Sequence, residues 1–404
     1  MDVEEFLSRR QASLPAIAHA LHSALDLTDD DILILVGSLV DGIGTSTSDI
    51  DLILATSRND ITFNACMTDV AVVVNEALAD VRVVSFEDLD KLLHRFAAWS
   101  SSPRIARRAF EFTTDERKLL HRLATGTVLH GQLSYDTRIR GALSDADLVR
   151  HKLDTARHLG STYLIDLQGL FDDSRYAEMI PIAQELCNQA IDAMLCGWGV
   201  SNPNTKWRTT YLSALPPEWH VQMPNVMGQR SAKDTAFDIG RTPDQDAPEQ
   251  IVSFVSRICA FARMAFLWSE DAVLRGMTKT VRWGPRHNGS AGDAALKVPV
   301  LHFDVDITVE DDAVWISRLN QLGSPERIAP EVLAVLVWGD GETTADQLES
   351  SPASISNAFR FATAGDYCAA LPTDSALLDR VLHRPTTLSV RRDIAVKSQP
   401  LHQL

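Results

Sequence analysis

The sequence predicts an α+β protein, and three observations carry that reading. Short apolar runs rich in Val and Ile recur early, at "DILILV", "DIDLILA", "TDVAVVV" and "DVRVVSF", the composition of buried strands. Segments 103–126, 144–171, 175–197 and 247–270 then place apolar residues at helical spacing. Beyond them "VLHFDVDIT" and "AVWISRL" read as strands again, followed by short helical stretches. The expected organisation is a mixed-sheet head over 1–100, a mainly helical domain over 101–297 and a small C-terminal module over 298–404, compatible with a winged-helix arrangement. A chain of 404 residues is long enough for two or three domains at roughly 100 to 200 residues each.

Taken in order, Phe6, Leu14, Ile17, Leu21 and Leu25 recur at helical spacing, which predicts one or two amphipathic helices ahead of the first strand. That strand, in "DDDILILVGS", ends at Gly37 and Ser38, and the second follows in "DIDLILA". Neither shows a long polar alternation, so both faces of the sheet are expected to be covered, at least in part. Pro, Gly and Asn in "GWGVSNPNTKWR", "LPPEW" and "IGRTPDQDAPEQ" mark turns within 198–246. "RWGPRHNGSAGDAALK" reads as a linker.

Composition narrows the function. With 45% apolar and 23% charged residues the chain reads as globular throughout. Its formal charge of −16, from 38 Lys plus Arg against 54 Asp plus Glu, argues against a long nucleic-acid partner, which demands a concentrated basic surface. Cys66, Cys187, Cys196, Cys259 and Cys368 are scattered and odd in number, as expected of reduced thiols in a cytoplasmic protein rather than a zinc or disulfide framework. The start, "MDVEEFLSRRQ", lacks a secretory pattern. No stretch reads as the roughly 20 apolar residues of a membrane span. Oligomeric state stays open.

The chemistry concentrates in "GSLVDGIGTSTSDIDLILA", Gly37 to Ala55. Asp49 and Asp51 are two residues apart, so in an extended segment both carboxylates point to one face. Paired carboxylates repel and are costly to desolvate, and a divalent cation is the natural compensation. Mg²⁺ suits oxygen ligands and is commonly completed by substrate phosphates. Gly37 and Ser38, at the end of the preceding strand, are placed to offer backbone N–H groups and a hydroxyl to a phosphate. A tight turn leading into an ordinary buried strand is the competing explanation.

Gly37-Ser38, ten intervening residues and then Asp49-Ile50-Asp51 resemble the pattern of nucleotidyltransferases related to DNA polymerase beta. Ser48, just before the first acid, looks like the smaller members that modify antibiotics, proteins or metabolites. The resemblance covers about residues 30–86. It implies that Gly37 and Ser38 contact a nucleoside triphosphate, ATP foremost, that Asp49 and Asp51 hold Mg²⁺, and that a third acid completes the metal site or serves as base. Asp69 is the best match for that acid and Glu76 the fallback. The implied reaction transfers a nucleoside monophosphate to a small-molecule acceptor and releases pyrophosphate. AMP transfer to a protein side chain and a non-catalytic nucleotide-binding scaffold are the alternatives.

Secondary features are weaker. Pro203 is suited to begin a helix that carries Lys206, Trp207 and Arg208 in its first turns. Lys206 or Arg208 would then meet the β- or γ-phosphate and Trp207 the base, unless Trp207 is core and the cations are solvated. This short segment also resembles the accessory domains of small-molecule nucleotidyltransferases. Glu178, Glu185 and Asp192 recur at intervals of seven, as candidates for a base or as a solvated face. His302, Asp304 and Asp306 alternate along a strand, which fits the polar face of an edge strand better than a metal site. His121, His130, His151 and His158 show no metal-ligand grouping.

Overall fold

The computed structural model describes residues 1–58, 69–74, 77–107, 109–202, 204–215, 232–243, 247–275, 298–310, 313–321, 323–337, 339 and 352–370. The expected linker at 282–297, Pro203, Glu76 and Cys66 lie outside the described residues.

Helices α1 (Val3–Ser8) and α2 (Leu14–Leu25) precede strands β1 (Ile32–Val36), β2 (Ile50–Thr56), β3 (Asp69–Val74) and β4 (Ala77–Ser85). With β5 (Thr127–His130) these strands form one sheet in the order β3-β4-β2-β1-β5. Strands β2 and β4 are parallel, and the other neighbours are antiparallel. Every residue of β1 is buried because both faces are covered. Leu33, Leu35, Leu52 and Leu54 pack with Phe6, Ile17 and Leu21 of α1 and α2. Ile32, Ile34, Val36 and Ile53 pack on the other side, with Phe96 of α3 (Phe86–Ser101) and Leu120 of α5 (Thr114–Thr125). Side-chain alternation thus feeds two separate apolar layers from apolar strands.

The head departs from the sequence expectation at its far edge. Its fifth strand, Thr127–His130, lies past the expected boundary at 100, and four residues are too few to show a periodicity. The helix expected over 103–126 is two helices, α4 (Arg104–Arg107) and α5. A capping box starts α5, with the Thr113 hydroxyl accepting from the Glu116 N–H and the Glu116 carboxylate accepting from the Thr113 N–H. A short α6 (Gln132–Tyr135) follows β5.

Helices α7 (Asp145–Asp172), α8 (Tyr176–Gly197), α9 (Arg208–Ala214), α10 (Ala232–Ile239) and α11 (Pro248–Arg275) make the helical part. The long ones match the expected segments closely. Helix α11 corrects one expectation, since Pro248–Leu274 is long and apolar enough by length and composition to cross a membrane. Here 83% of that apolar window is buried, and Phe254, Phe261 and Phe266 pack among α7 and α8 residues.

Beyond it come β6 (Val300–Leu301), β7 (Val305–Glu310), β8 (Ala313–Arg318), β9 (Glu326–Arg327), α12 (Pro330–Leu336), α13 (Pro352–Ala364) and β10 (Cys368–Ala370). Strands β7, β8 and β9 form an antiparallel sheet, and β6 pairs with β10. Val305, Ile307 and Val309 belong to the same apolar cluster as α8 and α11, so this part shares one core with the helices.

Candidate active site

The site forms where β1 ends and β2 begins. Register pairs Val36 with Asp51 across the antiparallel strands, which carries the chain after Val36 directly over the Asp51 side chain. Gly37 has φ +86°, and a Cβ built there would lie 2.2 Å from Asp51 Oδ2. Glycine is therefore required twice, for the left-handed backbone and for the approach to the carboxylate. Val40 and Asp41 then donate their N–H groups to the Gly37 carbonyl at 3.1 Å, and Ile43 donates to the Ser38 carbonyl at 2.9 Å. These bonds wind the chain into a tight turn.

Ser38 Oγ donates to Ser48 Oγ at 3.5 Å, a long contact, and Ser48 Oγ accepts the Thr45 N–H at 2.8 Å. Ser48 thus shapes the loop between the turn and β2. Asp49 is exposed and lies one residue ahead of β2, while Ile50 is buried and Asp51 is half-buried inside the strand. The two acids act on each other electrostatically, as their spacing predicts.

A third carboxylate adjoins them, and sequence reasoning passed over it. Parallel pairing of β2 with β4 sets Asp51 beside Asp80. Adjacent residues of paired strands share a face, so Asp80 extends the acidic edge. Asp69 stands further along, in register with Arg82, while Ala71 is the β3 partner of Asp80. The missed signal was "ADVRV", an acid flanked by apolar residues in a strand run. It became decisive only once the strand order placed β4 rather than β3 next to β2.

Burial holds the Asp51 carboxyl above the usual carboxylate range. Arg122 opposes that effect, Asp80 and Asp49 add to it, and Lys206 opposes it. Arg122, on α5, donates Nη2–H to Asp51 Oδ1 at 3.2 Å. Lys206 comes from the helical part, in a 3₁₀ turn at Thr205–Trp207 capped by Asn204, whose side chain accepts the Lys206 N–H. Its ammonium lies 4.9 Å from the centre of the Trp207 ring. The lysine is exposed and the tryptophan half-buried. Four carboxyl- or ammonium-bearing side chains, from the head and from the helical part, therefore share one field.

Other candidates are drawn away. Arg208 is 8% exposed and gives a two-pronged hydrogen bond to Asp192, from Nε at 2.9 Å and Nη2 at 2.7 Å. Lys152 completes that buried group, 2.9 Å from Asp192 Oδ2. Arg208 is thus committed to a buried anion and corrects its expected role at a phosphate. Glu178 and Glu185 are exposed whereas Asp192 is buried, so the three do not form one solvated face.

The expected polar edge at His302, Asp304 and Asp306 is also corrected. Asp304 and Asp306 are buried, the first accepting from Arg318 Nε at 3.0 Å and the second paired with Arg157 Nη1 at 2.9 Å. Burial of charge required these arginine partners. Among the described residues, no group of three or more His, Cys, Asp or Glu side chains converges closely enough to hold a metal ion by itself. Two cavities, of about 670 and 640 Å³, lie elsewhere, beside Arg241 and Arg257 and beside Gln132 and Arg140.

No family model and no curated protein matches the sequence. Eight solved chains match it. One is a nucleotidyltransferase-like protein from Exiguobacterium sibiricum 255-15, 11% identical, spanning 63% of this chain and 79% of its own, with a TM-score of 0.30.

Proposed function

We propose that the protein is a nucleotidyltransferase that moves a nucleoside monophosphate from a nucleoside triphosphate to a small-molecule acceptor. The observation that carries this reading is the contact of Gly37 with Asp51 beside the Asp51–Asp80 pair. A left-handed glycine turn and a group of mutually repelling acids meet where β1 ends and β2 begins. The small-molecule acceptor follows from the acidic balance of the chain, −16, and from the resemblance of the Gly37–Asp51 stretch.

The donor set suits a hard divalent cation. Mg²⁺ needs only one or two carboxylates when phosphates and waters fill the remaining positions. Asp51 and Asp49 would hold it, with the Asp80 carboxylate adding to the negative field beside them, and it would supply charge neutralisation at the α-phosphate and the leaving pyrophosphate.

The chain's own groups account for the rest. Ser38 Oγ and the Ser38 N–H bind phosphate oxygens, and Gly37 keeps a side chain off the Asp51 carboxylate beside them. Lys206 balances phosphate charge from the opposite side. Arg122 keeps Asp51 oriented until the nucleotide arrives. The acceptor's oxygen or nitrogen forms a bond to the α-phosphorus, and the bond from that phosphorus to the bridging oxygen of pyrophosphate breaks. Asp69, one pleat beyond Asp80, takes the acceptor's proton. Much of the rate then comes from orientation.

Incubating the protein with each α-labelled nucleoside triphosphate, Mg²⁺ and a small-metabolite extract tests this reading. Label in a new small product, with pyrophosphate released in equal amount and both lost in Asp51→Asn, supports it. Label in a protein band alone moves the acceptor to a side chain. Pyrophosphate release that survives in the Asp49→Ala, Asp51→Ala double variant removes the assigned site.

A further inference from the structure

Near the acids at the start of β2, two side chains from separate segments meet at one histidine. His121, on α5, is 8% exposed. Its Nδ1 shares a hydrogen bond with Ser201 Oγ at 3.0 Å. Its Nε2 lies 3.8 Å from Asp41 Oδ1 and is buried without a hydrogen-bond partner.

The position of these partners gives the cluster its meaning. Asp41 belongs to the Gly37 turn, because its N–H is bonded to the Gly37 carbonyl. Ser201 opens the segment that leads to Lys206, and that segment is stiffened by two side-chain bonds. Asn202 Oδ1 accepts the Asn204 N–H at 3.0 Å, and Asn204 Oδ1 accepts the Lys206 N–H at 3.2 Å. The residue after His121 is Arg122, which holds Asp51. One turn of α5 therefore touches the phosphate turn, the segment carrying the lysine and the central carboxylate.

A buried imidazole nitrogen without a partner is costly, and Asp41 Oδ1 is the carboxylate oxygen that faces the unpartnered Nε2. The 3.8 Å gap to Asp41 is within about 1 Å of a charge-assisted hydrogen bond.

We propose that His121 is a positioning residue of the nucleotide site, which fixes the Gly37–Ser38 turn relative to Lys206 by bridging Asp41 and Ser201. It deepens the nucleotidyltransferase reading and rests on it. His121 does not touch the reacting atoms. Its effect is to set the span across which a triphosphate is gripped from both sides, so its loss weakens nucleotide binding more than the transfer step.

The experiment measures ATP binding by calorimetry, with Mg²⁺, in the wild-type protein and in His121→Ala, Ser201→Ala and the double variant, with thermal melting as a check on folding. Steady-state pyrophosphate release accompanies it. The expected result is a loss of affinity of about ten-fold in each single variant, from one hydrogen bond each. In the double variant the loss is little greater than in either single one, since the bridge acts as a unit. KM for ATP rises with kcat changed much less, and His121→Asn, which preserves a hydrogen-bonding group toward Ser201, recovers part of the affinity. Should His121→Ala fail to fold, Ser201→Ala and Asp41→Asn carry the same comparison. Wild-type affinity in folded His121→Ala or Ser201→Ala overturns the proposal, as does additive loss in the double variant. The wild-type protein is also titrated with the other three nucleoside triphosphates, and binding of none of the four overturns instead the functional reading beneath it.

Discussion

Gly37 and Asp51 are in contact across the β1–β2 pair: a methyl group at the glycine would lie 2.2 Å from the carboxylate oxygen, and the glycine backbone is left-handed. Gly37→Ala therefore faces both strain and collision. We expect a destabilisation of about 1 to 3 kcal/mol, read from urea midpoints, and a fall in pyrophosphate release of about 100-fold as the carboxylate is displaced.

Asp51 separates stability from function. Burial holds its carboxyl above the usual range, with Asp80 and Asp49 adding to the shift. A raised folded-state pKa means that the native protein binds the proton more tightly than the unfolded chain does. This group therefore favours folding least at neutral pH, and its penalty fades as pH falls toward the ordinary carboxylate range. Asp51→Asn keeps the shape and removes the charge. Its melting temperature at pH 7 is expected to rise while turnover is lost; a fall in both would make the carboxylate an ordinary structural group.

Lys206 and Arg208 are two residues apart and have opposite duties. Arg208→Ala leaves buried Asp192 with Lys152 as its remaining cation, and a loss of about 3 kcal/mol is expected. Lys206→Ala, at an exposed position, should change stability by no more than about 0.5 kcal/mol while raising KM for the nucleotide about ten-fold or more. Chemical denaturation of both variants, beside their kinetics, makes the comparison.

His151 sets an acid limit on the fold. Phe96, Trp99 and Phe112 surround its ring at centroid distances of 5.7, 4.8 and 4.9 Å. Burial above all, with the charges of Arg117 and Lys152 acting in the same direction, lowers its pKa from 6.5 to about 4. As pH falls below 6.5 the unfolded chain takes up a proton that the native state refuses, so stability declines until pH reaches about 4. The integrated loss is about 3 kcal/mol. Denaturation midpoints across that range should decline less steeply in His151→Leu, by the contribution of one proton.

The strands and the long helices were legible because their apolar spacing is set by burial, and burial decides both sequence and structure. The closeness of Asp49 and Asp51 was legible because residues two apart in an extended run lie near each other, and the two do act on each other electrostatically. Asp80 was not, because its place beside Asp51 follows from strand order and register, which no local pattern encodes. Arg208 was misread because a basic residue near Lys206 looks the same whether its partner is a phosphate or Asp192. Strand β5 escaped because four residues after Gly126 carry too little pattern, and its pairing with β1 is a tertiary choice.

The central claim is that Asp49, just ahead of β2, and Asp51, on β2 beside Asp80 of β4, bind a metal together with a nucleotide. Calorimetric titration of ATP with and without Mg²⁺, in the wild-type protein and in Asp51→Asn, tests it most directly. The account predicts wild-type binding that Mg²⁺ strengthens about ten-fold or more, and an Asp51→Asn variant in which that increment disappears. Equal binding with and without the metal, or an increment that survives the substitution, would contradict it.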